Sequence, residues 1–311
     1  MDKTVASVIT PGADRREPDD KPREPVSRSH RASESGFSGP RHFLDRRFVY
    51  VVISQRARGL TIGVNMNPDK YCNFNCIYCE VDRVTPSVER KLNVRVMSSE
   101  LQDLLALTFQ RRLREFPVFQ HMPDELLELK EVALSGNGEP TLCPNFSEVV
   151  REVIHVRSLG KYAFFKLVLV TNATGLDLPE VRQGLRAFTS QDEIWAKLEA
   201  GTQAYMDRIN HGNVPLEKVL ANIRLIASER PVIIQSLFPL VDGREPPEEE
   251  IEAYAQRLRE LRLAGAQIPL VQVYSAHRPP HNGHCGHLPL KSLSRIAQCV
   301  RDVAGLKAEV F

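Results

Sequence analysis

The first 71 residues of this 311-residue chain contain no cysteine, and the whole chain has only six. So low a count excludes a disulfide-stapled scaffold. No apolar run approaches the roughly 20 residues needed to cross a bilayer. The N-terminus lacks the basic-then-apolar pattern of a secretory signal. The expectation is therefore a cytoplasmic protein, with no membrane partner, whose thiols stay reduced. Net charge is also nearly absent, +2 in total. That favours no particular partner, although a local basic patch can hold phosphates without moving the total. Residues 1–45 have few large apolar side chains and much Pro, Arg, Asp, Glu and Ser. Such a stretch buries too little surface to offset its ordering entropy and reads as a disordered tail. Its arginines, Arg15, Arg16, Arg23, Arg28 and Arg31, leave an RNA-touching arm as the alternative.

From Phe48 onward the texture changes. Short runs rich in Val, Ile and Leu occur at Leu60–Met66, Val132–Ser135, Leu167–Thr171, Ile194–Leu198, Val232–Leu237 and Leu270–Tyr274. Their composition suits strands buried on both faces. Helical periodicity lies between them, in Leu216, Val219, Leu220, Ile223 and Ile226, and in Ile251, Tyr254, Ala255, Leu258 and Leu261. Ser99 and Gln102 form a candidate capping box for a helix running to about Phe109. There is no internal repeat. Six strand-then-helix units predict an α/β fold with parallel strands and right-handed crossovers, a barrel or a partial one. In such folds the chemistry gathers at the C-terminal ends of the strands.

Half of the cysteines crowd into one segment, Tyr71-Cys72-Asn73-Phe74-Asn75-Cys76-Ile77-Tyr78-Cys79, directly after the first of those runs. Cys72, Cys76 and Cys79 have C-x3-C-x2-C spacing. Three thiolates on one compact loop can hold three irons of a [4Fe–4S] cubane and leave the fourth without a protein ligand. The alternative is zinc, with His284, Cys285 or His287 as a remote fourth ligand. Structural zinc usually takes two C-x2-C-like knuckles, and only Cys76–Cys79 makes one.

The motif, with the aromatic Tyr78 before its last cysteine, resembles the signature of the radical S-adenosylmethionine (SAM) superfamily. The resemblance spans about residues 48–290. It implies a (βα)6 partial TIM-type barrel as the core of residues 46–311, with a C-terminal extension, behind the tail of residues 1–45. Gly63-Val-Asn-Met-Asn-Pro-Asp-Lys70 and Gly136-Asn-Gly-Glu-Pro-Thr-Leu142 are similar to a branch that contains the wyosine-tRNA synthesis enzymes. The implied cofactors are the [4Fe–4S] cluster and SAM. The implied chemistry is reductive cleavage of SAM to a 5′-deoxyadenosyl radical, fed by a one-electron donor of flavodoxin or ferredoxin type.

Further site candidates follow the strand ends. Gly136, Asn137, Gly138, Glu139 and Pro140 form a turn whose glycines admit close backbone approach and whose Glu139 can accept from an ammonium. The resemblance implies that this turn, with Tyr78, holds SAM. Asn172 ends the third run and Lys197-Leu198-Glu199 the fourth. By analogy Lys197 pairs with the carboxylate of SAM and Glu199 with its ribose; a plain salt bridge between strand ends is the alternative. Gln235, Ser236 and Tyr274 are candidates for the same shell. Cys143 stands four residues beyond Glu139 and could return a hydrogen atom to a substrate radical, or be an inert core thiol. The His277–His287 loop, with four histidines and Cys285, is a candidate for substrate, phosphate or a second metal. The target is either tRNA or another nucleic acid, or else a small molecule or peptide. Wyosine-forming relatives carry extra cysteines upstream of the core, and this chain has none before Cys72.

Overall fold

A computed structural model describes residues 43–276 and 285–311. The expected tail up to residue 42, and residues 277–284 of the histidine loop, lie outside the described residues. In chain order the elements are β1 (Val49–Ser54), β2 (Gly59–Asn65), α1 (Val94–Phe109), α2 (Asp124–Leu127), β3 (Leu129–Ser135), α3 (Phe146–Ser158), β4 (Lys166–Thr171), α4 (Pro179–Leu185) and β5 (Glu193–Lys197). There follow α5 (Gln203–Asn210), α6 (Leu216–Ala227), β6 (Ile233–Leu237), β7 (Pro239–Val241), α7 (Glu248–Leu263), β8 (Val271–Tyr274), β9 (Cys285–His287), α8 (Leu290–Cys299) and β10 (Ala308–Val310).

Eight strands form one sheet in the order β1-β2-β3-β4-β5-β6-β8-β10. All neighbours are parallel except β1, which pairs antiparallel with β2. The six predicted strands are β2, β3, β4, β5, β6 and β8, so the partial barrel is observed. The flanking β1 and β10 and the small antiparallel β7–β9 pair are additions that the apolar runs did not reveal. The two edges approach through side chains. Arg58 is 3.3 Å from Glu309, and Arg56 lies 4.5 Å from the centre of the Tyr274 ring. Among the described residues no helix is long and apolar enough to cross a membrane.

The periodic faces of α6 and α7 are buried as expected. The start of α1 differs. Asn93 caps it, its Oδ1 accepting from the Arg95 and Val96 amides at 3.1 and 3.2 Å, so Ser99 and Gln102 sit inside the helix. Two β-branched valines in the first turn hid that start, and Asn caps as well as Ser does. From α1, buried Glu100 reaches the opening of β1 and accepts from the amides of Arg47, Phe48 and Val49 at 2.8 to 3.1 Å.

Asp192 ties α3 to the sheet before β5. It accepts from Arg157 at 2.6 and 3.1 Å, from the Leu167 amide at 2.8 Å and from the Thr189 amide at 2.7 Å. Burial alone would push this carboxyl up; Arg157 and the amides outweigh it and hold it below the usual carboxylate range. A depressed pKa contributes stability that is complete above the unfolded value, about 3.9, and lost as pH falls through the folded one. Asp192→Asn should therefore cost about 1.5–3 kcal/mol at neutral pH. In urea melts it should also flatten the loss of stability that the parent shows below about pH 4.

Candidate functional site

The C-terminal ends of the parallel strands open into a cavity of about 700 Å³. Cys72, Cys76 and Cys79 line it, together with Tyr78, the turn from Gly136 to Pro140, Asn172, Lys197, Glu199, Gln235 and Tyr274. The cysteine loop follows β2, and the glycine turn follows β3, the neighbouring strand. Backbone contacts join the two: the Glu139 amide donates to the Tyr71 carbonyl at 3.0 Å, and Asn65 Oδ1 accepts from the Asn137 amide at 2.9 Å. Gly136 has φ +129°, which favours glycine, and any Cβ there would stand 2.2 Å from Asn65 Oδ1.

Each cysteine sulfur has a nitrogen directed at it. The Phe74 amide lies 3.4 Å from Cys72, Asn210 Nδ2 3.3 Å from Cys76, and an Arg83 nitrogen 3.9 Å from Cys79. Asn210, at the end of α5, also donates to Glu199 at 2.8 Å and to the Tyr78 hydroxyl at 3.1 Å. Tyr78 in turn hydrogen-bonds Glu199. Spacing rules could not find Asn210, which lies far along the chain from the cysteines, and nothing about Arg83 marked it beyond its following Cys79 by four residues. Burial pushes the Cys76 thiol up to about 12, with the Glu199 charge adding to the effect. Bound iron reverses that preference, because a metal ion stabilises the thiolate.

The remaining candidates divide. Glu139 is buried. Its Oε1 accepts from the Thr141 amide at 3.0 Å and from the Thr141 and Thr171 hydroxyls at 2.7 and 2.5 Å, and its Oε2 accepts from the Asn172 amide at 2.7 Å. That leaves about one acceptor position on Oε2. Asn172 is spent on the loop beneath it, donating to Asn73 Oδ1 at 2.9 Å and accepting from Thr174 at 3.0 and 2.7 Å. Lys197 and Glu199 do pair, 3.6 Å apart, and both face the cavity. Burial alone would lower the Lys197 ammonium, yet the Glu199 charge outweighs it and holds it protonated.

Two of the candidates do not face the cavity, and for Cys143 the inert-thiol reading is the one its position matches. Ser236 does not line the cavity; its hydroxyl bonds the Leu198 carbonyl and the Tyr254 hydroxyl. Successive side chains of a strand point to opposite faces, so its neighbours Gln235 and Leu237 face inward instead. Cys143 also misses the cavity. The short turn Pro140–Leu142 directs it into the core, where its thiol contacts Asn145 Oδ1 at 3.3 Å and burial pushes it up to about 11. Of the histidine loop only its last residues are described: Cys285 contacts the Ile77 carbonyl at 3.7 Å, and His287 is exposed.

The residues present fit the implied cluster. Three sulfurs on one loop match the three protein ligands of a cubane with one open iron, and N–H donors at the sulfurs are what such clusters carry. Among the described residues no group of three His, Cys, Asp or Glu side chains is gathered closely enough to hold a single metal ion.

Known proteins agree. The UPF0026 protein of Helicobacter pylori is 22% identical over 270 residues, covering 81% of this chain and 79% of that protein. UPF0026 protein slr1464 of Synechocystis is 29% identical over 185 residues, 58% of this chain and 60% of its own. Among solved structures, TYW1 with a lysine–pyruvate adduct bound has a TM-score of 0.56 at 17% identity, covering 84% of this chain and 85% of that chain. SuiB of Streptococcus suis has a TM-score of 0.54 at 13% identity, over 83% of this chain and 51% of that chain. The family model of the radical SAM superfamily matches residues 66–258, the span from the cysteine loop to α7, and with the cysteine loop and glycine turn facing one cavity, the chain belongs to the radical SAM superfamily.

Proposed function

We propose that the chain cleaves SAM reductively at a [4Fe–4S] cluster held by Cys72, Cys76 and Cys79, and that hydrogen is abstracted from a substrate seated in the barrel. The observation that carries this reading is the shared cavity: three donor-solvated sulfurs face the glycine turn and the Lys197–Glu199 pair across it. When bound, the cluster and SAM supply a 5′-deoxyadenosyl radical. The protein's part is to position and to exclude water. The open acceptor position on Glu139 and the backbone of Gly136–Pro140 receive the amino group of SAM, and the Lys197 ammonium attracts its carboxylate. Asn210 donates to Cys76 and so favours the more negative, reduced state of the centre. The reductant is a one-electron carrier of flavodoxin or ferredoxin type, which the half-buried cysteines leave within reach of the surface.

The cavity volume falls in the range of about 300–1,000 Å³ usual for small-molecule sites. Beside SAM it admits a small molecule, or one projecting group of a larger one.

Reconstituted anaerobically with iron and sulfide, the protein should be brown, with broad visible absorbance. On reduction with dithionite it should form 5′-deoxyadenosine and methionine from SAM. A colourless, zinc-loaded protein that leaves SAM intact would refute the proposal. Asn210→Ala should shift the midpoint potential of the reconstituted centre downward in a spectroelectrochemical titration, because a donor to sulfur is lost. An unchanged potential would show that this contact does not tune the cluster.

A further inference from the structure

Below the cysteine loop, toward the N-terminal ends of the strands, the cavity wall holds polar groups for which the cofactor chemistry has no use. Glu131 stands four residues before the end of β3, about 13 Å down the strand. It is 1% exposed, and its Oε2 has no hydrogen-bond partner. Thr61 donates to Oε1 at 3.2 Å. Lys166 is 3.8 Å from Oε2, beyond hydrogen-bond distance, and sits 2.8 Å from Glu193. Gln235 on β6 is wholly buried; its amide nitrogen donates to Gln272 at 2.9 Å, while its Oε1 is unpartnered. Arg56, just past β1, has a buried Nε without a partner. All three side chains line the same cavity, and the apolar faces of Val170, Trp195 and Leu237 line it with them.

Buried polar atoms in folded proteins are almost always paired. Glu199 Oε1 and Arg83 Nε are also unpartnered in this cavity but sit beside Tyr78 and Cys79; the other three orphans come from three separate parts of the chain, and one ligand satisfies such a set at once. Their chemistry specifies that ligand. Two unpartnered acceptors call for N–H donors, and a guanidinium stacked over the Tyr274 ring with no acceptor at its Nε calls for an anion. We infer that this part of the cavity is the substrate pocket and that it takes a small amino carboxylate, with its carboxylate on Arg56 and its amino group on Glu131 and Gln235. The assignment rests on the radical SAM reading for the reaction and on these three residues for the substrate. Burial pushes the Glu131 carboxyl up to about 7 against the lowering effect of Lys166 and Arg56. A bound ammonium would bring it back down.

The test is calorimetric titration of the reconstituted full-length protein, with SAM present, against the proteinogenic α-amino acids and a series of ω-amino carboxylates from γ-aminobutyrate upward. At least one should bind, and its methyl ester and its desamino analogue should each bind about tenfold more weakly or worse, a factor worth 1.4 kcal/mol. Arg56→Gln should weaken the parent ligand by a similar factor and abolish the penalty of the methyl ester. Glu131→Gln should do the same for the desamino analogue. Arg56→Lys, which keeps the charge, should restore most of the binding and so guard against a variant that merely misfolds. If no amino carboxylate binds, if nucleoside monophosphates bind in their place, or if the variants bind unchanged, the assignment is overturned. Measuring 5′-deoxyadenosine in the same preparations separates the two claims. Protein that cleaves SAM but binds no amino carboxylate refutes only the pocket, whereas binding without SAM cleavage refutes only the cofactor reading.

Discussion

Cys76→Ala is expected to abolish formation of 5′-deoxyadenosine from SAM, a loss of at least about a thousandfold, or roughly 4 kcal/mol in the barrier. Cys76 is the middle ligand of the loop. It is also the one wired into the cavity wall, through Asn210, which contacts Glu199 and Tyr78 as well. Alanine offers iron no ligand, and its methyl group leaves Asn210 without the sulfur it donates to. The measurement is single-turnover chromatography of reconstituted protein, with iron and sulfide content determined on the same sample. Product formation at the parent rate would sink the cluster assignment. Cys143→Ala provides the contrast. Its thiol lies outside the cavity against Asn145, so cleavage should persist, with at most a modest loss of stability.

Gly138→Ala should lower SAM cleavage by about a hundredfold or more while leaving iron content near that of the parent, since misplacement by about 1 Å costs that much. A Cβ on Gly138 would stand 1.9 Å from the Tyr71 carbonyl oxygen and 2.6 Å from Asn67 Cβ. The first of these is backbone of the cysteine loop, which cannot swing aside as a long side chain can. The glycine turn must therefore retreat from the loop and give up the hydrogen bond from the Glu139 amide to Tyr71. The three cysteines stay on their own segment and keep their ligand capacity. Lost affinity for SAM, read by equilibrium dialysis, should accompany the lost rate. Parent-like activity would show that the turn does not depend on this close approach.

The six strands of the barrel were legible because each is a short, continuous run of Val, Ile and Leu, and α6 and α7 because one face repeats with helical period. The edges were not. β10 has three residues, and β7 finds its partner β9 only across the span from Val241 to Cys285, so neither carries a local pattern. The start of α1 was misplaced because Asn93 caps it ahead of two valines. At the site, the cysteines were readable from their spacing, and the glycine turn from its resemblance to the family's motif one strand later. Ser236 was not, since one step along a strand reverses the face, and Cys143 was not, since a single turn of 3-10 helix redirected it.

By itself the sequence determined that Cys72, Cys76 and Cys79 stay together: they lie within eight residues, so the chain's own covalent geometry holds them close wherever the loop is placed. It also determined that parallel strands would surround them. Only the tertiary structure decided which atoms face those sulfurs and what lies beneath them. Asn210 reaches Cys76 from the end of α5. Arg56, Glu131 and Gln235 meet in the cavity from beyond β1, from β3 and from β6. Those meetings depend on strand register and on which face each side chain takes, and both are set by long-range pairing that no local pattern encodes.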